Sequence, residues 1–392
     1  MARGLDTRAL GTLSAGHLAT DFASGAVPAL LPFVVAEFDL SYLEAGVVTL
    51  VWATASSVVQ PLFGLVSDRL GAIWLLPAGV AFAAVGIGLS ALAPSYPVFL
   101  LLIAVSGLGT AAYHPEGSKF AAFASGDRRA SGMSLFSIGG NIGFGVGSVA
   151  ATALVVWLGL RGGVLLALPG VVIAAFLVVL MPFLRSFDPG RSVARQLRGE
   201  DRPGALGLLL AVVGFRSLAW FGLLTFVPLY EISLGHSEAH GNRLLALMLL
   251  AGGIGTLAAG PAADRIGRRP VLLGSVAGTG VFIAVYLFAG GVVGAIALAL
   301  VGVCVVGTFG VTMVMSQEYL PSRIGLASGL SIGLSIGLGG IAAVALGALA
   351  DQIDLDRALW VCAVAPFVAL AIGLFLPSSQ ARSPVEAEPV VP

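Results

Sequence analysis

Charged side chains are scarce in this chain of 392 residues, of which only 10% are Asp, Glu, Lys or Arg while 58% are hydrophobic. Its mean hydropathy is +1.01. No soluble domain of this length keeps so much apolar surface from water, whereas a protein that crosses a membrane many times places that surface against lipid. The formal net charge is zero, which argues against a nucleic-acid partner.

The chain also lacks the patterns on which disulfide-rich proteins and enzymes depend. Its two cysteines, Cys304 and Cys362, both fall in apolar runs, so we expect neither a disulfide framework nor a metal site. The sequence contains no nucleotide-binding glycine loop, metal-ligand spacing or nucleophile motif. We therefore expect a protein that is not an enzyme and needs no cofactor.

Apolar runs long enough to cross a bilayer occur twelve times, which predicts an all-α membrane protein. A hydrocarbon core about 30 Å thick needs roughly 20 residues of helix. The first run contains His17 and Asp21 and is too long for the apolar part of a signal peptide, so we interpret it as a membrane span. The predicted spans are 10–36, 43–66, 73–93, 96–122, 132–157, 163–184, 205–232, 243–262, 270–290, 292–319, 326–350 and 358–377.

Arginine is distributed unevenly along the chain. Lys119 is the single lysine, which leaves 20 − 1 = 19 arginines, and together with the abundant alanine and glycine this suggests a bacterial coding sequence. With the N-terminus inside, fifteen arginines fall in cytoplasmic segments and only Arg161, Arg243 and Arg357 fall outside. Because cytoplasmic loops carry the excess of basic residues, we expect a multi-pass protein of the bacterial inner membrane with both termini in the cytoplasm.

The two halves of the chain repeat each other. A Gly-x-x-x-Asp-Arg-x-Gly octet at residues 64–71 recurs at residues 260–267, an offset of 260 − 64 = 196 that Pro32 and Pro228 share. Such internal repeats are typical of duplicated transporter bundles. We expect a six-helix half at 1–184, a cytoplasmic linker at 185–204, a second six-helix half at 205–377 and a flexible cytoplasmic tail at 378–392.

These motifs resemble those of the major facilitator superfamily over nearly the whole chain. Residues 260–269 match its Gly-x-x-x-Asp-Arg-x-Gly-Arg-Arg loop signature, whereas Ala72 and Ile73 replace the usual basic residues in the first copy. Within the superfamily the chain is most similar to the bacterial fosmidomycin-resistance exporters. The resemblance implies a monomer that carries a small molecule across the bilayer by rocking its halves around a central site. The subgroup motifs are His17-x-x-x-Asp21, Tyr113-His114-Pro115-Glu116-Gly117-Ser118-Lys119 and Gly139-Gly140-Asn141-x-Gly143.

Seven ionisable side chains lie inside predicted spans, although a charge in hydrocarbon costs roughly 2.5–3.5 kcal/mol even on the most lenient scale. Such residues usually face a wet cavity and act there. All seven occur on spans 1, 4, 7 and 10, and the resemblance implies that these spans line a central cavity on which the charges converge. The seven are His17, Asp21, His114, Glu116, Lys119, Arg216 and Glu318.

His17 and Asp21 are four residues apart and therefore share a helix face. Histidine titrates near neutrality, and a carboxylate in a cavity of changing hydration can load and release a proton. We expect both residues to couple transport to protons. In the alternative, Asp21 caps a backbone defect or pairs permanently with Arg216.

The fourth span contains an unusual polar run from Tyr113 to Lys119. Pro115 removes a helical hydrogen bond, so we expect the backbone to kink or unwind there and to line a cavity. We assign proton coupling to His114 and Glu116, and substrate binding to Tyr113 and Lys119. In the alternative, Glu116 and Lys119 form a structural ion pair near the cytoplasmic end of the span.

The seventh and tenth spans each carry a charge. Arginine stays charged and binds carboxylate, phosphate or phosphonate through two parallel hydrogen bonds. We expect Arg216 to bind an anionic substrate or to pair with Asp21, since the 196-residue offset aligns it with Thr20. Glu318 either takes part in proton coupling or anchors the cytoplasmic loop through Arg323.

The repeated octets lie on predicted cytoplasmic turns. Their Asp and Arg side chains either hold the inner face shut as a conformational latch, which the resemblance favours, or serve only as topology anchors. The latch residues are Gly64, Asp68, Arg69, Gly71, Gly260, Asp264, Arg265, Gly267, Arg268 and Arg269.

Glycine recurs at every fourth position in two spans, at 139, 143 and 147 and at 329, 333 and 337. Such rows predict flat helix faces that pack closely, either statically or as sliding contacts. The resemblance places the fifth and eleventh helices at the seam between the halves. Exporters usually carry Gly-Pro there, and its absence from this chain leaves the direction of transport open.

The sequence favours a proton-coupled antiporter that exports a small, anionic compound, with a fosmidomycin-like phosphonate drug as the leading candidate and drug resistance as the outcome. Proton-coupled uptake of an organic or sugar acid needs the same residue types and is the second hypothesis. A membrane receptor that transports nothing is the third.

Overall fold

The computed structural model describes residues 5–64, 72–126, 129–187 and 200–377, and their regular secondary structure is helical. Residues 188–199 of the predicted linker and the predicted tail lie outside this part of the chain. The helices are α1 (Thr7–Phe38), α2 (Tyr42–Gly64), α3 (Leu75–Ser90), α4 (Tyr96–Ala124), α5 (Arg129–Leu158), α6 (Leu160–Arg185), α7 (Pro203–Ser233), α8 (Glu238–Ile266), α9 (Arg268–Ala289), α10 (Gly291–Tyr319), α11 (Ile324–Ile353) and α12 (Leu355–Gly373).

The predicted twelve-helix membrane fold is confirmed. Eleven helices in the described residues are long and apolar enough to cross a bilayer, and α3, with 16 residues, is shorter. The boundary between α9 and α10 depends on Gly290 and Gly291, whose φ angles of 57° and 52° suit glycine alone without strain. The chain is thus a multi-pass membrane protein.

Two of the helices are interrupted, but not at the predicted place. α4 stays helical through Pro115, so the unwinding expected there does not occur. Instead α2 contains a π-helical segment at Thr54–Val58, and α10 breaks at Thr308, which lies between Gly307 and Phe309. The π segment lies just before Pro61, whose missing N–H and ring disturb the helical turn that precedes it. Such π segments are frequent at functional sites.

The glycine row of α5 packs against α1 within the same set of six helices. A Cβ atom added at Gly139, Gly143 or Gly147 would overlap the backbone of Ser14, Leu18 or Phe22. The two helices therefore approach closely enough for backbone contact, as small residues permit in membranes. In α11, by contrast, added Cβ atoms at positions 333 and 337 would meet no backbone.

The first six and the last six helices meet mainly where α2 packs on α11 and where α5 packs on α8, with α1 and α7 between them. One hydrophobic core joins both sets at the end of the bundle away from the termini, and includes Val34, Phe99, Val227 and Ala350. At the terminal end the described residues form two separate cores, one from each set. The protein is therefore sealed at the face opposite its termini.

Three polar contacts reinforce this seal. The Asp351 carboxylate at the end of α11 accepts hydrogen bonds from the backbone N–H groups of Tyr42 and Leu43, at 2.9 and 3.0 Å. The hydroxyls of Thr49 and Thr225 lie 2.8 Å apart. Asn242 donates through Nδ2 to the carbonyl oxygen of Ala29 at 2.9 Å. Each contact joins one set of six helices to the other.

Candidate functional site

Asp21 lies between two histidines, His17 on its own helix and His114 on α4. Its Oδ2 atom is 3.3 Å from Nε2 of His17, and its Oδ1 atom is 3.2 Å from Nε2 of His114. Asp21 is 21 − 7 = 14 residues into α1, which at a helical rise of 1.5 Å per residue is about 21 Å from the start of that helix. The group therefore sits near mid-depth, and we call these three residues the inner triad.

The other contacts of the two histidines decide where hydrogens lie in the inner triad. Nδ1 of His17 is 2.9 Å from the carbonyl oxygen of Phe136, which only accepts, so Nδ1 carries the hydrogen and donates. Nε2 of a neutral His17 would then direct a lone pair at Asp21. The contact becomes a hydrogen bond only when one proton is shared between His17 and Asp21.

His114 has the complementary arrangement. The amide Nε2 of Gln60 lies 3.2 Å from Nδ1 of His114 and donates to it, which leaves the hydrogen of the neutral ring on Nε2, facing Asp21. For both contacts of Asp21 to be hydrogen bonds, the inner triad needs one proton beyond those of two neutral histidines. Its side chains are 13%, 18% and 24% exposed for His17, Asp21 and His114, so an exchanging proton has access to it.

The walls of the inner triad come from α5. The ring of Phe136 stacks on that of His17 with centroids 4.2 Å apart. A Cβ atom added at Gly140 would lie 2.5 Å from Nε2 of His17 and 2.6 Å from Oδ2 of Asp21. Gly140 belongs to a motif that was recognised in the sequence, whereas Phe136 and Gln60 were not predicted. The signal for Gln60 was an amide in an otherwise apolar span.

The other predicted residues of α4 point elsewhere. Tyr113 is fully buried and its hydroxyl donates to the carbonyl oxygen of Leu13, so it fastens α4 to α1. Lys119 forms an ion pair with Glu116, with Nζ and Oε2 2.9 Å apart. Glu116 is 1% exposed and Lys119 is 25% exposed. The ion pair agrees with the structural alternative for these two residues.

Arg216 is enclosed among the C-terminal helices. It is 1% exposed, donates through Nη1 to the Thr308 hydroxyl at 3.0 Å, and lies over the ring of Phe309 at 4.6 Å. The break in α10 therefore supplies both the hydroxyl and the ring that contact the guanidinium. In the part of the chain that the structure describes, no ion pair joins Arg216 to Asp21, so the predicted pairing is not present in this conformation. Its Nε atom has no hydrogen-bond partner there.

Glu318 contacts a residue of the predicted latch. Its Oε1 atom lies 2.8 Å from Nη1 of Arg268, which joins the terminal ends of α9 and α10. This ion pair is similar to the alternative in which Glu318 anchors a cytoplasmic loop, except that its partner is Arg268 and not Arg323. The neighbouring Arg269 donates to the carbonyl oxygen of Leu374 at 2.6 Å.

The structure describes the second copy of the predicted latch motif in full but only the first residue of the first copy. In the first copy Gly64 is the last described residue of α2, while Asp68, Arg69 and Gly71 lie outside the described residues. In the second copy Gly267 turns the chain between α8 and α9 with a φ of 94°. The remaining members of the second copy, Gly260, Asp264 and Arg265, lie at the exposed end of α8, and both charged side chains are exposed.

The structure thus gathers part of the predicted charge cluster and separates the rest. His17, Asp21 and His114 meet directly, whereas Arg216 and Glu318 have partners within the C-terminal helices. Both α1 and α7 are largely enclosed, with 78% and 61% of their most apolar windows buried, against 22% for α6. The charges on α1 and α7 are therefore held inside the protein rather than against lipid.

Twelve helices in two packed sets, eleven of them long enough to cross a bilayer, with ionisable groups enclosed at mid-depth within each set, are the architecture of a secondary transporter. The sequence profile of the family described as "Major Facilitator Superfamily" matches residues 13–330 and, a second time, residues 209–391. The chain belongs to the major facilitator superfamily. Its members are transporters and not enzymes, which agrees with the sequence prediction and sets aside the receptor hypothesis.

Two bacterial proteins are similar in sequence to nearly the whole of this chain. The fosmidomycin resistance protein of Escherichia coli K12 is 31% identical over 379 residues, covering 95% of this chain and 93% of that protein. The uncharacterized MFS-type transporter YfnC of Bacillus subtilis 168 is 32% identical over 378 residues, covering 93% and 91%.

Solved structures agree on the fold. A bacterial homolog of the human lysosomal transporter Spinster, inward-facing and occupied, has a TM-score of 0.78 at 15% identity and covers 94% of this chain and 96% of its own. The transporter FucP in its outward conformation has a TM-score of 0.65 at 16% identity and covers 94% and 99%.

Proposed function

We propose that this protein is a proton-coupled antiporter of the bacterial inner membrane that exports a small anionic compound. The observation that carries the proposal is the inner triad, in which Asp21 lies at mid-depth 3.3 Å from a histidine nitrogen that bonds to it only when a proton is shared between them. An intramembrane carboxylate that can exchange a proton is the usual basis of a proton relay.

Arg216 supports an anionic substrate. A buried guanidinium is costly unless an anion or hydrogen bonds compensate it, and among the described residues its polar partner is Thr308. A phosphonate or carboxylate would accept bidentate hydrogen bonds from it. Since Arg216 is 1% exposed, the substrate reaches it only after the helices around it move.

The sealed face supports alternating access. With the termini in the cytoplasm, as the arginine distribution predicts, the described conformation is closed to the outside. Opening it requires the seam contacts at Asp351, Thr49 and Asn242 to break. Protonation of the inner triad then competes with substrate binding and resets the empty carrier, with the latch octets holding the inner face shut in the opposite state.

Export of a fosmidomycin-like phosphonate is favoured by the similarity to the E. coli fosmidomycin resistance protein. The test uses everted membrane vesicles that contain the full chain, with labelled fosmidomycin and an imposed pH gradient. We expect the wild type to accumulate the drug when the lumen is acidic, because export from the cell corresponds to uptake into everted vesicles.

Asp21→Asn is the decisive variant. We expect it to lose accumulation driven by the pH gradient while it keeps exchange of labelled for unlabelled drug, because exchange needs no net proton movement. Asp356→Asn, an acidic residue outside the triad that accepts from Tyr230 within the same half, is the control. Wild-type accumulation by Asp21→Asn would refute proton coupling at this site.

A further inference from the structure

A second histidine cluster lies at the sealed face, away from the inner triad. The chain has four histidines, and the two that do not belong to the inner triad, His236 and His240, both face Glu231. Nδ1 of His236 is 2.6 Å from Oε2 of Glu231, and Nε2 of His240 is 3.5 Å from the same oxygen. We call these three residues the outer triad.

The surrounding chain fixes the outer triad in place. Glu231 lies in the last turn of α7, and the turn after that helix brings the backbone N–H of His236 within 3.0 Å of the carbonyl oxygen of Glu231. Gly235, with a φ of 89°, makes this turn possible. Ser237 caps α8 by accepting from the backbone N–H of His240. The two imidazoles are thus held side by side, with ring centroids 4.5 Å apart.

The carboxylate is oriented by a third helix. The Tyr286 hydroxyl on α9 donates to Oε1 of Glu231 at 2.7 Å, which leaves Oε2 turned toward the histidines. Glu231 is 6% exposed, whereas His236 and His240 are 49% and 40% exposed. An ion can therefore reach the two imidazoles from water, while the carboxylate stays fixed.

From this geometry we propose that Glu231, His236 and His240 form a binding site for a divalent transition-metal ion of the zinc class. One ligand atom from each residue lies within 4.8 Å of the others. Zinc binds histidine nitrogen and carboxylate oxygen at about 2.0–2.2 Å in tetrahedral geometry, so its ligand atoms lie about 3.4 Å apart. The 3.5 Å separation at His240 fits, and the 2.6 Å hydrogen bond at His236 lengthens when the ion displaces its hydrogen.

Two further features match a metal site. Histidine nitrogen and carboxylate oxygen are the ligands that zinc takes in open sites with three protein ligands and a water. The Tyr286 hydroxyl is the outer partner that such carboxylates usually have. His236 and His240 have the His-x3-His spacing that is common among zinc ligands, a signal that was missed in the sequence, while Glu231 precedes them at a spacing that no common motif includes. This inference does not depend on the proposed transport function.

The test measures Zn²⁺ binding to the purified full chain in detergent, without a polyhistidine tag, by isothermal titration calorimetry. The rival site is the inner triad, whose three ligand atoms also lie within 4.8 Å of one another. The variant His236→Gln with His240→Gln removes the outer triad, and His17→Gln with His114→Gln removes the inner one. Tyr286→Phe keeps all three proposed ligands and removes only the outer hydrogen bond.

We expect the wild type and the inner variant to bind one Zn²⁺ with equal affinity, and the outer variant to bind at least 100-fold more weakly. Tyr286→Phe should weaken binding by about 10-fold, at the low end of effects of outer partners. When Co²⁺ is added in place of Zn²⁺, the wild type should show the visible absorption of a tetrahedral site. If the outer double variant does not fold, His240→Asn alone replaces it.

The proposal is overturned if the outer variant binds Zn²⁺ as the wild type does, or if only the inner variant loses binding. It is equally overturned if the wild type shows no binding at millimolar Zn²⁺.

Discussion

The contact between Asp351 and the start of α2 gives a prediction whose size can be worked out. Ser41 already caps α2 by accepting from the backbone N–H of Glu44, so the preceding N–H groups of Tyr42 and Leu43 depend on Asp351. Both bonds cross the seam between the two sets of helices. They exist only while the face opposite the termini is sealed, so Asp351→Ala removes them from the sealed state alone.

Removal of a capping side chain costs about 1 kcal/mol, and a carboxylate at a helix N-terminus gains about 0.3–1 kcal/mol from the helix dipole. Asp351 is exposed, so water compensates part of the lost hydrogen bonds and of the lost dipole interaction. We therefore take the stabilisation of the sealed state by Asp351 as about 1–2 kcal/mol. A tenfold change corresponds to about 1.4 kcal/mol. Asp351→Ala should therefore raise the ratio of protein open at this face to protein sealed there by about 5- to 30-fold.

The assay is pulsed electron–electron double resonance between two spin labels, one on α1 and one on α8, at the helix ends that lie at the sealed face. Glu37→Cys and Glu238→Cys provide exposed positions for the labels. The chain's two cysteines, Cys304 and Cys362, are replaced first. We expect the longer-distance population to grow in Asp351→Ala. Asp356→Ala is the matched control, because its partner Tyr230 lies within the same set of helices.

The account of the seal is refuted if Asp351→Ala leaves the distance distribution unchanged, or if Asp356→Ala changes it equally.

Three further variants test the site. Gly140→Ala places a methyl group against His17 and Asp21. In thermal melts it should lower stability by about 1–3 kcal/mol, and in vesicle assays it should abolish drug accumulation driven by the pH gradient. Gly11→Ala, whose added Cβ atom meets nothing, should have neither effect. Arg216→Lys should raise the KM for an anionic drug at least 10-fold because bidentate binding is lost, and an unchanged KM would contradict its assignment. Glu318→Gln should lower stability by no more than about 1 kcal/mol, since the ion pair of Glu318 with Arg268 is partly exposed. The variant should keep proton-driven transport. Loss of that transport would instead assign Glu318 to the proton relay.

The helical membrane fold followed from the sequence because bilayer thickness sets the length of each apolar run. The break at Gly290 and Gly291 is a local feature that positive φ angles explain. The π segment in α2 lies just before Pro61, so the sequence did carry a proline signal for it. The helix α10 contains no proline, and its break at Thr308 had no such signal. Pro115 carried the stronger local signal and left its helix intact.

The pairing within the site was only partly predictable. The four-residue spacing of His17 and Asp21 places them on one helix face, and their contact follows from it. The contact of His114 with Asp21 depends on how α4 packs against α1, which no spacing encodes. The repeat offset aligned Arg216 with the neighbour of Asp21, but a shared level in two helices does not fix the direction of a side chain.

The central claim is that the inner triad exchanges a proton when substrate binds. The direct measurement is the number of protons released into unbuffered detergent solution when saturating fosmidomycin is added to the purified protein. The account predicts close to one proton per molecule for the wild type and none for Asp21→Asn. Equal release by the two proteins would contradict it.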